Sequence, residues 1–364
     1  MPTAPLLHSP LHDEHLRHDG RLVDFAGWKM PVQYTGILEE HRAVRSGCGA
    51  FDISHMGQVF LSGENAAGWL NGILTGNIPE MGEKTSLYTF MLNENGGIID
   101  DLIAYRLGPD SFLLVVNASM VDEDVTWLQG HLEDGVILED RSRQFAAIAI
   151  QGPKAEDLAR EMLGETGCTM PARNTLAYFT GASGTTYLCG TGYTGEPGFE
   201  MICPLQDGPQ WFNKALQTGA VPCGLGARDS LRLEMGFPLN GSDLSPARSP
   251  LTAGLGFFVD LEKGPFIGKE VLLKEKQDGI REKLTGIEMT VKGPPPRPGY
   301  ALFANNEAAG NLCSAGLSPS LGNGIGLAYL PVALSRIDTA LEIDIRGKRF
   351  AARVAKKPFY RPPR

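Results

Sequence analysis

Cysteine chemistry is the first thing this chain lacks. Its six cysteines, Cys48, Cys168, Cys189, Cys203, Cys223 and Cys313, are scattered singly, with no CxxC and no Cys/His cluster at zinc spacing, so reduced and mostly buried thiols are expected. No apolar run reaches the roughly 18 residues that a membrane span needs. The opening stretch MPTAPLLHSPLHDEHLRHDG has no signal-peptide hydrophobic core, and a cytoplasmic protein without a membrane partner is the expectation. Positive charge is also scarce: 33 Lys and Arg face 42 Asp and Glu, a formal net charge of −9. A non-specific nucleic-acid binder needs the opposite balance, so no nucleic acid is expected and any anionic ligand must be held by a few placed arginines. Four of the seven histidines, His8, His12, His15 and His18, lie in the polar leader, which reads as a solvated segment; no metal is expected.

What is present is ordinary for a globular protein. The 364 residues suffice for two or three domains of about 150 residues each. A hydrophobic content of 42% with 21% charged residues sets aside the disordered and fibrous classes. Glycine (45) and proline (25) run high and point to many turns rather than a helical bundle.

Helical periodicity is local, at 64–74, 119–132, 153–163 and 207–216. Between these segments lie strand-like runs at 57–63, 111–118, 144–152, 185–191 and 199–204, rich in β-branched and aromatic residues. The mixture has no strict βαβ rhythm, which favours an α+β fold with mainly antiparallel sheets. After a helix-like segment at 266–277 the composition changes to short strands, a proline-rich turn and a final hairpin over 340–360 turning at Arg346-Gly347-Lys348. This predicts a boundary near Asp278 to Lys283: residues 1–277 form an α+β region of two subdomains and residues 283–364 an all-β barrel.

Four motifs carry candidate chemistry. Gly190-Thr191-Gly192-Tyr193-Thr194-Gly195 satisfies G-x-G-x-x-G, but Pro197 and Gly198 follow at once and lead into a strand, so no helix N-terminus can hold a pyrophosphate. A strand-to-strand loop remains. Two positions into the next strand, Glu200 either is solvated or needs a buried partner. Asn95-Gly96-Gly97 reads as a hairpin turn that sends Asp100 and Asp101 into an apolar strand, where at most one can line a given cavity. Both could instead be edge charges. In Gly224–Gly236 a short helix with a glycine C-cap places Arg228 and Arg232 on one face. They suit carboxylates of a ligand, or pair with Asp229 and Glu234. His55 has no accompanying nucleophile motif and reads as a structural histidine at a turn.

Taken together, VDFAGWKMPVQY, HRAVRSGCGAFDISHMG, MLNENGGIIDDLI, AIQGP, GTGYTGEPGFE, CGLGARDSLRLEMG and SPSLGNGIGLAYLP occur in the order seen in the aminomethyltransferases, the T-protein family of the glycine cleavage system. The chain resembles that family from about Pro10 to its end. The resemblance implies a folate-binding aminomethyltransferase fold with a C-terminal barrel. It implies transfer of the one-carbon unit of aminomethyl-S-lipoyl H protein to tetrahydrofolate, with release of ammonia. Tetrahydrofolate is then the co-substrate and the lipoylated H protein the partner. By the same resemblance Asp101 is the catalytic carboxylate, Glu200 binds the pterin edge and Arg228 the glutamate tail. Tyr88, Tyr105, Tyr193, Asn117 and Met56 are implied to line the folate site, and a C-terminal arginine, Arg361 rather than Arg364, to reach it.

Two rivals share the fold. A folate-binding protein of iron–sulfur maintenance has a cysteine in a K-G-C segment, whereas this chain has Pro265 in Lys263-Gly264-Pro265-Phe266-Ile267-Gly268-Lys269-Glu270. The folate module of sarcosine or dimethylglycine oxidases follows a flavin domain, for which no fingerprint exists here.

Overall fold

The strand Gly198–Pro204 organises the larger sheet of the protein. In the computed structural model, which describes residues 5–362, it pairs antiparallel with Phe145–Gln151 on one side and Gly184–Cys189 on the other. The six-stranded sheet runs Leu176–Gly181, Gly184–Cys189, Gly198–Pro204, Phe145–Gln151, Gly49–Asp52, Val221–Cys223. Its pairs are antiparallel except the last, where Val221 joins Gly49 in parallel. Successive strand residues face opposite sides. Phe199, Met201 and Cys203 therefore share a face with Ile148 and Ile150, and this face packs on Leu158, Met162 and Phe212 of the helices Ala155–Leu163 and Gly208–Gln217. The same alternation turns Glu200 to the other face, opposite Ala149 and Cys189.

A five-stranded sheet is ordered Ser86–Leu92, Ile98–Gly108, Ser111–Val116, Gly57–Ser62, Ile137–Asp140. A three-stranded sheet joins Leu7–His8, Trp28–Gln33 and Arg21–Phe25. The predicted helices at 64–74, 119–132 and 266–277 are found as Ala66–Ile73, Val121–Gly130 and Lys269–Asp278.

The chain divides into two units: Met1–Trp69, Pro79–Leu87 and Leu102–Asp229 in the first, and Leu70–Ile78, Tyr88–Asp101 and Ser230–Arg364 in the second. The second contains a closed barrel in the order Glu282–Met289, Gly324–Pro331, Glu307–Leu317, Ala301–Ala304, Ala340–Ile345, Lys348–Ala355. Closure removes the exposed strand edges that an open sheet of this size would present. Alternating residues Leu341, Ile343, Ile345 and Ala352, Val354 fill its interior with Ile287, Leu302 and Leu330. The predicted last hairpin turns at Arg346 and Gly347, with φ of 57° and 83°, the left-handed pair that suits the twist of a tight hairpin.

The leader departs from expectation. Residues 12–17 form a short helix, His8 and His12 stack at 4.0 Å, and His15 is fully buried rather than solvated. Burial is tolerated because both ring nitrogens of His15 are satisfied: Nε2 lies 2.7 Å from Asp52 Oδ2 and Nδ1 2.8 Å from the Tyr34 hydroxyl. Ser9 donates to the same Asp52 oxygen, and the Ser54 amide donates to its other one at 2.9 Å. Burial opposes the charge on Asp52, yet the bonds from His15, Ser54 and Ser9 outweigh it and hold the carboxyl below its ordinary range. Among the described residues no helix is long and apolar enough to cross a membrane.

Candidate active site

In the first unit Tyr105, Arg228 and Tyr193 are linked to Glu200 by a chain of contacts. It is 8% exposed and accepts a 2.6 Å hydrogen bond from the Thr191 hydroxyl, which in turn lies 2.7 Å from the hydroxyl of the buried Tyr105. Arg228, on the helix Leu225–Met235, stacks its guanidinium 5.0 Å from the centroid of Tyr193 and is within electrostatic reach of Glu200. Its Nη1 is buried and has no hydrogen-bond partner among the described residues. A guanidinium nitrogen left bare in this way is costly in a native protein and is suited to an acceptor brought by a ligand. Burial, with the phenol of Tyr105 beside Cys189 and Glu200, pushes that hydroxyl's pKa well above its usual value.

The glycines of the loop 190–195 have a packing reason. A Cβ on Gly190 would lie 2.0 Å from the Ala172 carbonyl oxygen, and one on Gly192 would lie 2.0 Å from Gln151 Oε1. The chain approaches its neighbours too closely for a side chain, and the segment runs as a loop into Gly198–Pro204 with no helix after it. The dinucleotide resemblance of this motif is thus a matter of close approach.

Met56 and Asn117 are half-buried in the same unit. His55 is buried, edge-on to Phe25 at 5.4 Å, and its Nδ1 has no partner among the described residues. Burial lowers its pKa to about 4, with Arg228 adding to the effect and Asp52 opposing it.

The second unit holds the paired aspartates on Ile98–Gly108, just past the turn at 93–97. Asp100 is fully buried and Asp101 half-buried, so neither is an edge charge. The Tyr88 hydroxyl donates to Asp101 Oδ2 at 2.8 Å, and Asn240 supplies a further side-chain hydrogen bond. Burial, and then the like charge of Asp100, push the Asp101 carboxyl well above the usual carboxylate range; the bonds from Tyr88 and Asn240 oppose this without cancelling it. Tyr88 packs edge-on against Phe258 at 4.7 Å and Phe90 at 5.3 Å.

The alternative pairing for Arg232 takes a different form from the one expected. Its Nη1 donates to Asp243 at 3.0 Å and its Nη2 to the Ser314 hydroxyl at 2.9 Å, while Glu234 accepts from Ser318 and Ser320. The arginine ties the helix to the barrel strand Glu307–Leu317 and is 3% exposed. Arg361 is exposed and lines a cavity of about 290 Å³ with Glu288, Arg353 and Phe359; Arg364 lies outside the described residues.

Thr191 and Asn240 were not singled out by sequence reasoning. Thr191 lies inside the glycine motif, and its hydroxyl beside the strand that carries Glu200 is the signal that marks it. Asn240 has no local signal, because the distance between it and Asp101 is closed only by folding. Among the described residues no group of three or more His, Cys, Asp or Glu is placed to hold a metal ion.

The described residues thus form an α+β region followed by a closed barrel, with carboxyl side chains met by hydroxyl and amide donors. The GCVT N-terminal domain matches residues 11–263, and the glycine cleavage T-protein C-terminal barrel domain matches residues 282–361. An aminomethyltransferase of Halalkalibacterium halodurans is 40% identical over 357 residues, covering 97% of this chain and 98% of its own. One from Desulfitobacterium hafniense is 42% identical over 364 residues, covering 98% of each. The crystal structure of the glycine cleavage system aminomethyltransferase T of Bartonella henselae superposes with a TM-score of 0.91 at 32% identity, covering 98% of this chain and 99% of that one. The chain belongs to the aminomethyltransferase family, the T-proteins of the glycine cleavage system, and is an enzyme of that family.

Proposed function

We infer that the enzyme transfers the one-carbon unit of an aminomethyl-S-lipoyl H protein to tetrahydrofolate, forming 5,10-methylenetetrahydrofolate, ammonia and dihydrolipoyl H protein. The observation that carries this reading is the environment of Asp101. A carboxyl with raised proton affinity, half-buried and oriented by a tyrosine hydroxyl, is suited to take up a proton near neutral pH.

The reaction breaks the carbon's bonds to sulfur and to the amino nitrogen and makes bonds to N5 and N10 of the folate. The two protons that leave N5 and N10 end on ammonia and on the lipoyl thiol, so the exchange balances without an oxidant. Asp101 stabilises the positive charge that develops at the carbon and accepts the N10 proton. Tyr88 holds the acceptor oxygen. Glu200 accepts N–H donors of the pterin edge, with Thr191 and Tyr105 fixing its rotamer, and Arg228 takes a carboxylate of the glutamate tail. Tyr193, Met56 and Asn117 supply the flat apolar and amide contacts that a fused heterocycle needs. Arg361 serves the outer glutamates. Because both substrates must be held in register, positioning accounts for much of the rate.

The test is direct. Purified protein is supplied with aminomethyl-lipoyl H protein and tetrahydrofolate, and methylenetetrahydrofolate and ammonia are quantified. Equimolar formation of both is expected. Ammonia release without a folate requirement would refute the reading.

A further inference from the structure

Lys263 is the least expected charge in the second unit. It is 7% exposed, and its ammonium contacts no carboxylate in the described residues. Instead Nζ donates to the carbonyl oxygens of Asn71, Leu74 and Gly76 at 2.6, 2.5 and 2.6 Å, and approaches Asn71 Oδ1 at 3.2 Å. Asn71 and Leu74 lie at the end of the helix Ala66–Ile73, where carbonyls have no intrahelical donor and the helix dipole favours a cation. Burial lowers the ammonium to a pKa of about 7, with Asp260 opposing and Lys269 adding to the shift.

The same two segments are laced by further bonds. The Asp260 amide donates to the Thr75 carbonyl at 3.0 Å, and the Asn77 side chain donates to Asp260 at 3.0 Å. On its other side the 74–76 segment is bonded to the strand Ser86–Leu92: Thr75 N to Phe90 O at 3.0 Å, Phe90 N to the Thr75 hydroxyl at 3.2 Å, and Gly76 N to the Thr89 hydroxyl at 2.9 Å. That strand carries Tyr88, and the segment ahead of Lys263 carries Phe258, which packs on the Tyr88 ring. One buried ammonium thus lies where the segment 71–76, bonded to Thr89 and Phe90, meets the segment that carries Phe258 against the Tyr88 ring.

We propose that Lys263 is a positioning residue for transfer: by clamping the 71–76 carbonyls to the segment 256–263, it sets Phe258 against Tyr88 and so aims the Tyr88 hydroxyl at Asp101. The inference rests on the reading of Asp101 as the proton acceptor. It assigns work to a lysine that touches neither the carboxylate nor its direct partners.

The experiment compares Lys263→Met, Tyr88→Phe and the double variant in the transfer assay with aminomethyl-lipoyl H protein and tetrahydrofolate. Lys263→Met is expected to lower kcat about 10- to 100-fold, as misplacement of a reacting group does, with KM for tetrahydrofolate within about threefold. The ascending limb of its pH–rate profile should move to higher pH, as in Tyr88→Phe, because Asp101 loses a bond that favours its charged form. Among the groups that face Asp101 are Asp100, Tyr88 and Asn240, of which the first two are titratable. The double variant should be no worse than Tyr88→Phe, since both act through one bond. Additive losses, or an unmoved profile with full kcat in Lys263→Met, would overturn the proposal. Should that variant fail to fold, Phe258→Leu leaves no buried polar group bare and is expected to give the same kcat loss and limb shift. Full kcat in a folded Phe258→Leu would equally overturn it. An active Asp101→Asn would instead remove the underlying reading, and is scored separately.

Discussion

Glu200 and Asp101 are both carboxyl side chains on sheet strands, the first buried and the second half-buried, and their surroundings differ. Glu200 has a hydroxyl donor at 2.6 Å and a guanidinium within electrostatic reach, a polar setting suited to further donors from a ligand. Burial, and then the second buried carboxyl of Asp100 beside it, raise the proton affinity of Asp101 above that of a free aspartate. In the proposed reading Glu200 anchors the ligand and Asp101 exchanges a proton, roles set by what stands within a few ångströms rather than by residue type.

The largest test of this contrast is Asp101→Asn. It should lower kcat by about 100- to 10,000-fold, the usual range for loss of a general base, with tetrahydrofolate affinity nearly unchanged in a direct titration. A matching loss of affinity would collapse the distinction between the two carboxylates. Glu200→Gln should do the reverse. Removing a charge-assisted hydrogen bond costs about 1.5–3 kcal/mol, so folate should bind about 10- to 150-fold more weakly by calorimetry, and unchanged affinity would return Glu200 to a purely structural role.

Asp100→Asn sharpens the comparison. The like charge of Asp100 raises the Asp101 pKa, so its removal lowers that pKa and should move the ascending limb of the pH–rate profile to lower pH, with kcat at the plateau falling far less than in Asp101→Asn. A limb that stays in place would mean that burial alone sets the shift. The smallest effect is expected at the exposed Arg361. Deleting residues 361–364 should weaken polyglutamylated folate about two- to fivefold while sparing the monoglutamate, and the difference should fade as salt rises. Equal affinities in wild type and deletion would leave Arg361 without a ligand role.

Reading the chain forward, the elements with a strong period were legible. The runs at 199–204 and 144–152 are strands whose alternate residues Phe199, Met201, Cys203, Ile148 and Ile150 build one packed face, and 153–163 is a helix because Leu158, Ala159, Met162 and Leu163 recur on one buried face. Context also disposed of the G-x-G-x-x-G decoy, since a strand rather than a helix follows it. The leader misled for the converse reason. His15 sits in a polar segment, and nothing local signals that Asp52, 37 residues on, will receive its Nε2. The same holds for Arg232: Asp229 and Glu234 are its sequence neighbours, and Asp243 and Ser314 are its partners.

The sequence by itself determined the class of element at each strongly patterned stretch, the two-part order of an α+β body followed by a barrel, and the family, because hydrophobic period, turn chemistry and long ordered motifs are local properties. Tertiary structure alone decided which polar groups are charged, shared or bare. Those states depend on distances between residues remote in the chain: Thr191 and Tyr105 beside Glu200, Asn240 beside Asp101, and the carbonyls of Asn71, Leu74 and Gly76 around Lys263. Burial magnifies each of these contacts, since an unmet hydrogen bond or charge costs far more in the interior than in water, and only the folded chain places them there.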